Sequence, residues 1–233
     1  MTASIIEEQL TALSSPEKKA FLPYFFKTGK GQYGEGDKFL GVVVPDIRKV
    51  AKANKTLPFD EIDKLLNNGY HECRMCALLI LTEQFKKAKK PEQKALVDFY
   101  LAHTARINNW DLVDLSAGYI LGEYLADTSD RSILYRLAES SLLWEQRIAV
   151  VATSTFIRQG DLTDILALSE KLLHHPHDLM HKAIGWMLRE AGKKDKNALL
   201  GFLDKHHKLM PRTMLRYSIE KFSPDERAYY MKK

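Results

Sequence analysis

The residues with the most distinctive chemistry are a tryptophan and an aspartate four positions apart, Trp110 and Asp114. Residues at this spacing lie on one face of a helix, and Asn108 and Asn109 are suited to cap its start. An indole face attracts positive charge, and a carboxylate can stabilise it electrostatically. The alternative is structural, because tryptophans are often core residues and carboxylates stabilise the first turns of helices.

Cations form a second set of candidate residues. One predicted helix face combines a tryptophan with three cations, because the spacing of these four residues is helical: Lys182, Trp186, Arg189 and Lys193. Arg147 and Arg158, eleven residues apart, are predicted to share a face of another helix. Together with the first pair, these residues predict a surface that combines cations, two indole rings and a single carboxylate.

Other reactive side chains give weaker signals. Cys73 and Cys76 lie one helical turn apart in an apolar run, and without a second cysteine pair they do not indicate a metal or redox centre. His177 and His181 are four apart but lack the glutamate of a His-Glu-x-x-His zinc motif. The glycine-rich segment 28–37 lacks the Gly-Lys-Ser/Thr ending of a P-loop, so we interpret it as a flexible loop.

The elements that position these residues are predicted to be helices, because signals for helix starts and helix ends recur along the chain. Ser15-Pro16 predicts a helix that ends at Gly29, and Pro58 begins an amphipathic stripe that ends at Gly69. Further helix starts are predicted at residues 161, 211 and 223–224. The only strand-like stretch is residues 42–44, which Pro45 cuts short. The sequence therefore predicts an all-α protein of about a dozen helices.

A repeat is visible among these helices. Similar segments recur with charged markers at spacings of 37, 36 and 35 residues: Arg74, Asp111, Arg147 and Lys182. A near-constant step of two helices is typical of an α-α superhelix, a HEAT-like or armadillo-type solenoid, here of about six helix pairs. The markers would then line a concave surface. A globular bundle with chance spacing is the alternative.

The predicted solenoid forms one domain over residues 1–233. Residues 1–40 contribute N-terminal helices and the glycine-rich loop, and residues 41–233 contribute the repeats. A length of 233 residues with 45% hydrophobic and 28% charged content is typical of a soluble globular protein.

Positive charge is concentrated in the later part of the chain. Residues 1–140 carry 19 basic and 19 acidic residues, whereas residues 141–233 carry 16 and 11. This asymmetry favours an anionic partner such as nucleic acid, although a mild lysine surplus is the plainer explanation. The candidate phosphate contacts are Arg147, Arg158, Lys182, Arg189, Arg212 and Arg216.

The N-terminus shows no features of a signal peptide, and the longest apolar run covers only residues 76–81. With two cysteines and no disulfide framework, the expected location is cytoplasmic, with no membrane partner.

Four segments carry a resemblance to a known family: residues 39–48, 109–114, 144–147 and 182–190. They resemble, in the same order, segments of the AlkD-type DNA alkylation repair enzymes, and the likeness covers most of the chain. That family consists of HEAT-like repeat DNA glycosylases that excise alkylated purines, chiefly N3- and N7-substituted ones. Val43 and the pair Leu179-Met180 depart from the family pattern.

The resemblance implies roles for individual residues. Asp114 matches the catalytic carboxylate, Trp110 and Trp186 match aromatic residues beside the damaged nucleotide, and Arg147 matches a nearby DNA-contacting cation. The remaining matches are basic or aromatic positions of the DNA-facing surface: Arg48, Arg189 and Tyr24.

The implied function is hydrolysis of the N-glycosidic bond of cationic alkylated purines in duplex DNA, by a monomer of the bacterial cytosol or nucleoid. Such a base already weakens its own glycosidic bond, so neither a metal nor a cofactor is expected. The alternatives are a HEAT-repeat protein that binds altered or branched DNA without catalysis, and a HEAT scaffold for another protein.

Overall fold

The structure is a computed structural model that describes residues 1–232. Within these residues it contains sixteen α-helices, one 3₁₀ turn (Thr104–Arg106) and one π-helix (Gly118–Gly122). The only β-type pairing among them is an isolated bridge between Lys38 and Tyr70. The all-α prediction is confirmed. The strand-like residues 42–44 form no strand, and Val44 begins a helix.

The chain divides into two compact units, an N-terminal unit of residues 1–116 and a C-terminal unit from residue 117 onward. The prediction of a single domain stays a prediction. No helix in residues 1–232 is both long enough and apolar enough to cross a membrane.

The N-terminal unit contains seven α-helices: α1 (Ala3–Ala12), α2 (Pro16–Phe25), α3 (Val44–Ala53), α4 (Phe59–Leu66), α5 (His71–Phe85), α6 (Lys90–Ala102) and α7 (Trp110–Asp114). Helix α5 lies at the centre of the unit and packs against α1, α3, α4, α6 and α7. Every residue from His71 to Thr82 is buried, so α5 has no polar face. The polar side chains in its first turn must therefore find partners inside the protein.

Helix α2 begins as predicted. Ser15 Oγ accepts the Lys18 backbone N–H at 3.4 Å, and Pro16 occupies the first turn. The predicted end at Gly29 is wrong, because α2 ends at Phe25 and Lys27 adopts the left-handed conformation with φ of 53°. The glycine-rich segment that follows is a loop, as predicted, and its flexibility stays a prediction.

The C-terminal unit contains nine α-helices in its described residues: α8 (Glu123–Ala126), α9 (Ser132–Ala138), α10 (Leu143–Ala152), α11 (Ser154–Gln159), α12 (Thr163–Lys171), α13 (Asp178–Lys194), α14 (Lys196–His206), α15 (Arg212–Ser218) and α16 (Pro224–Met231). Helix α13 packs on α10, α11, α12, α14 and α15. Gly185 permits the close approach of α15, since a Cβ there would lie 2.5 Å from the Met214 carbonyl oxygen. The predicted start at Ser223 is confirmed by a capping box with Glu226.

The predicted shared face of Arg147 and Arg158 is wrong. Arg147 is buried on α10, whereas Arg158 is exposed on α11. The helix is interrupted at Thr153, whose hydroxyl donates to the Val150 carbonyl oxygen at 2.6 Å.

Candidate functional site

Trp110 and Asp114 are the first and last residues of α7, and both are partly exposed. Asn109 is the N-cap as predicted, and its Oδ1 accepts the Trp110 backbone N–H at 2.8 Å. Because the two residues are four apart, they share one face of the helix. The structure therefore places an indole and a carboxylate on one partly exposed helix face of the N-terminal unit.

The Trp110 indole is held by aromatic residues from the segment around the end of α2. It stacks on Phe26 with ring centroids 5.5 Å apart and meets Phe25 edge-on at 6.2 Å. Its Nε1–H donates to the Tyr33 hydroxyl at 3.3 Å, which ties the glycine-rich segment to the indole. Such contacts fix the orientation of the ring rather than leaving it free at the surface.

A cavity of about 460 Å³ opens beside Trp110, and its walls are mostly apolar. Helix α2, residues 42–45 and α5 line it together with α7. Phe21, Phe25 and Val43 are large apolar side chains that line it and remain exposed. Sequence reasoning missed this cavity, since its walls come from four separate segments. Val43, a departure from the family pattern, lies on its wall.

Beneath α7 lies a buried network of charged residues. His71 on α5 contacts two carboxylates, with Nδ1 2.9 Å from Asp37 Oδ2 and Nε2 2.8 Å from Asp111 Oδ2. Arg74 donates to the other oxygen of Asp37, and its Nη1 donates to the Asn68 carbonyl oxygen at 3.1 Å. The network joins the end of the glycine-rich segment to the helix that carries Trp110 and Asp114.

Both carboxylates favour the protonated form of His71. Burial by itself would lower the pKa of the imidazole, but Asp111 and Asp37 raise it to about 9. Burial opposes ionisation of Asp37 as well, and the contacts with His71 and Arg74 nevertheless keep its pKa below the usual value. At neutral pH both ring nitrogens of His71 therefore donate.

Glu72 fixes the segment that leads into α3. Its buried carboxylate accepts the backbone N–H groups of Leu40, Gly41 and Val42 at 2.9, 2.8 and 3.2 Å. Gly41 has φ of 91°, and a Cβ there would lie 2.5 Å from the Ser15 carbonyl oxygen, so this position requires glycine.

The structure corrects the prediction that the repeat markers line a solvent-facing surface. Arg74 and Arg147 are each only 5% exposed. Arg74 belongs to the buried network, and Arg147 Nη1 donates to the Leu179 carbonyl oxygen at 2.6 Å. The repeat spacing predicted that both arginines are exposed. They are buried instead, because each has a carboxylate or carbonyl partner inside the protein.

The predicted residues of α13 occupy one partly exposed stripe with mixed charge. Trp186 is partly buried, while its neighbours Ala183, Ile184, Met187 and Leu188 are buried. The expected excess of positive charge is wrong, because each cation of the stripe has a carboxylate partner. The pairs are Lys182 with Asp178 at 2.9 Å, Lys193 with Glu190 at 2.7 Å, and Arg189 with Glu220.

The other predicted DNA contacts lie on separate elements. Arg48 is exposed on α3, and Tyr24, at the end of α2, is 85% exposed. Arg158 pairs with Glu123 at 2.5 Å, and Arg212 Nη2 donates to the Met231 carbonyl oxygen at 3.0 Å. Arg216 is exposed on α15.

Comparison with known proteins identifies the family. Residues 6–222 match the family described as DNA alkylation repair enzyme. The chain belongs to the DNA alkylation repair enzyme family. Among solved structures, a predicted DNA alkylation repair enzyme from Enterococcus faecalis is similar, with 16% identity and a TM-score of 0.73 over 91% of this chain and 97% of that one. No curated protein sequence matches.

The structural match shows the shared all-α fold, and family membership supports a role for the chain in DNA alkylation repair. Neither identifies the reaction, and the roles of the individual site residues stay predictions.

The two cysteines and His177 of this family member have structural roles in the described residues. Cys73 and Cys76 are free and buried, and burial raises the pKa of both thiols, that of Cys76 to about 12. His177 is the N-cap of α13, where Nδ1 accepts the Leu179 backbone N–H at 3.1 Å, and burial lowers its pKa. In residues 1–232, no three His, Cys, Asp or Glu side chains are grouped so that they could hold a metal ion.

Proposed function

We propose that this member of the DNA alkylation repair enzyme family is a DNA glycosylase that hydrolyses the N-glycosidic bond of cationic N3- and N7-alkylated purines in duplex DNA. The observation that carries the proposal is the placement of Trp110 and Asp114 on one partly exposed face of α7. An indole with fixed orientation next to a carboxylate suits a substrate that carries positive charge.

The chemistry follows from the charge of the damaged base. When the bond between C1′ and the purine nitrogen breaks, its electron pair goes to the base, which leaves as a neutral purine. Positive charge then develops on the deoxyribose, and the Asp114 carboxylate stabilises it. A water molecule attacks C1′, and Asp114 orients that water and accepts its proton. The products are a free purine and an abasic sugar.

The surroundings of the two aspartates of α7 favour Asp114 as the catalytic carboxylate. Asp111 Oδ2 is engaged by His71 at 2.8 Å beneath the helix. Asp114 lies one helical turn from Trp110 on the same face. Asp111 therefore has a supporting role, and Asp114 is the carboxylate assigned to the sugar.

The C-terminal unit supplies further DNA contacts under this proposal. Trp186 would contact DNA, as the family resemblance implies. Arg147 is buried, so its proposed role is to support the start of α13 through the Leu179 carbonyl oxygen. Lys182, Arg189 and Lys193 would exchange their carboxylate partners for phosphates, which adds a salt-dependent contribution to affinity. The proposed enzyme acts as a monomer in the cytosol or nucleoid and needs no cofactor.

The experiment is incubation of the protein with methylated duplex DNA, followed by separation and counting of free 7-methylguanine and 3-methyladenine. We expect Asp114→Asn to lower base release by about 10²-fold or more while DNA binding survives, because a charge opposite the developing cation is lost. The matched control is Asp98→Asn, which removes a 59% exposed carboxylate on α6 of the same unit.

Two outcomes contradict the proposal at different levels. Absence of purine release by the wild-type protein would contradict glycosylase activity and favour binding without catalysis. Base release by Asp114→Asn at the rate of Asp98→Asn would remove Asp114 from the mechanism.

A further inference from the structure

We propose that His71 is a positioning residue for the reaction: through Asp111 and Phe26 it fixes the helix and the indole ring that face the damaged nucleotide. The inference rests on the proposed function, because it concerns the same pair of Trp110 and Asp114. His71 itself is only 1% exposed, so the proposed role does not include contact with DNA.

Helix α7 needs external support because it contains only five residues. A helix of this length is not stable by itself in water, so tertiary contacts must determine its position. One contact is the hydrogen bond from Tyr100 to Ser116 Oγ at 3.1 Å, with Ser116 Oγ in turn donating to the Leu112 carbonyl oxygen at 2.6 Å. Another is the charged hydrogen bond from His71 to Asp111. The second of these holds the turn next to Trp110.

The imidazole also supports the indole through a series of aromatic rings. The His71 ring lies 4.8 Å from the Phe39 ring and 5.0 Å from the Phe26 ring, measured between centroids. Phe26 in turn stacks on Trp110 at 5.5 Å. A protonated imidazole next to aromatic faces is favourable. His71 therefore contacts two neighbours of Trp110, namely Phe26 beside the ring and Asp111 next to it in the chain.

The remaining partners hold His71 itself in place. Nδ1 donates to Asp37, and Asp37 is held on its other oxygen by Arg74. The ring cannot turn about its side-chain bonds without losing both carboxylates. Because Asp37 ends the glycine-rich segment that includes Tyr33, the imidazole links both elements that contact Trp110. Loss of the bond to Asp111 would loosen the indole and, with it, the neighbouring carboxylate of Asp114.

The first test measures the indole directly and does not require glycosylase activity. In a protein with Trp144→Phe and Trp186→Phe, Trp110 is the only fluorescent indole. We expect Asp111→Leu to raise the acrylamide quenching constant of Trp110 by about twofold, since a loosened helix opens locally. Asp111→Asn retains an acceptor oxygen for His71 and is expected to leave quenching near the starting value.

A matched control comes from a second histidine–carboxylate pair in the same unit. His103 Nε2 lies 2.8 Å from Asp63 Oδ1, and 40 residues separate the partners in both pairs. Asp63→Leu makes the same chemical change away from α7, so Trp110 quenching should not change. Far-UV circular dichroism shows whether each variant is folded. If Asp111→Leu does not fold, His71→Gln replaces it, because its amide can donate to only one of the two carboxylates.

The second test measures base release with the three tryptophans restored. At saturating enzyme in a single turnover, we expect Asp111→Leu to slow release by about 10-fold to 100-fold, because small misplacements of reacting groups are costly. Binding of the methylated duplex should change by less than about threefold, since no phosphate contact is altered. Asp111→Asn should recover most of the rate.

The outcomes separate the two proposals. Unchanged Trp110 quenching in Asp111→Leu, or raised quenching with an unchanged rate, overturns the positioning role of His71. If the wild-type protein releases no purine, the proposed function is wrong, and the quenching comparison still decides whether His71 holds Trp110 in place.

Discussion

A rise in pH should destabilise the N-terminal unit through His71. The imidazole is held between two carboxylates, and its pKa of about 9 in the folded protein exceeds the ordinary value of 6.5. For a group whose pKa is raised by folding, the stabilisation is fully present below the unfolded pKa and disappears as pH rises through the folded pKa. The stabilisation from His71 is therefore complete below pH 6.5 and is lost as pH approaches and passes about 9.

The magnitude follows from the difference between the two pKa values. At about 1.4 kcal/mol for each pKa unit, it corresponds to about 3 kcal/mol of unfolding free energy, most of which is lost between about pH 6 and pH 9. Asp37 acts at the opposite end of the pH scale. Its pKa is lowered by folding, so its contribution is present above pH 3.8 and is lost as pH falls below that value.

The assay is urea unfolding at pH 6 and pH 9 of the wild-type protein and His71→Gln. We expect the wild-type protein to lose about 3 kcal/mol more than the variant over this interval. The buried thiols of Cys73 and Cys76 are present in both proteins, so their ionisation cancels in the comparison. His103→Gln serves as the control, because it removes a partly exposed imidazole–carboxylate contact. Equal losses in the wild-type protein and His71→Gln would refute the reasoning.

Two further predictions concern DNA. DNA binding should be insensitive to sequence. If about four to six phosphates are engaged, the logarithm of the binding constant should fall with log salt at a slope of roughly −4 to −5. Titrations at several salt concentrations check this, and a slope near zero would rule out binding through phosphates. Trp186→Ala should abolish most activity on methylated DNA. Because Trp186 is only partly buried, the substitution should lower the free energy of unfolding by less than the roughly 3–5 kcal/mol expected for a core tryptophan. A large drop in melting temperature would show that Trp186 is a core residue.

Local signals in the sequence were sufficient to predict the helical fold and part of the candidate site. Ser15, Asn109 and Ser223 act as helix caps as predicted, since capping depends on residues within one turn. The spacing of Trp110 and Asp114 likewise determines their shared face once α7 forms. The end of α2 was less predictable, because Lys27 takes a left-handed conformation that lysine rarely adopts.

Contacts between distant residues could not be predicted from spacing. Asp37 and Asp111 reach His71 from 34 residues before it and 40 residues after it, and no local pattern indicates that the three meet. On α13 the partners of Lys182 and Lys193 lie within one helical turn and could have been recognised. The partner of Arg189, Glu220, comes from 31 residues further along the chain.

The burial of the two cysteines has a consequence for a protein that works where alkylating agents are present. Such agents react with thiolates more readily than with most other protein groups, and reactivity requires both ionisation and access. Cys73 and Cys76, the only cysteines of the chain, are completely buried in α5, and burial raises the pKa of each. The electrophiles that damage DNA therefore meet no reactive thiol on the folded protein, and α5 is protected from alkylation at its two cysteines.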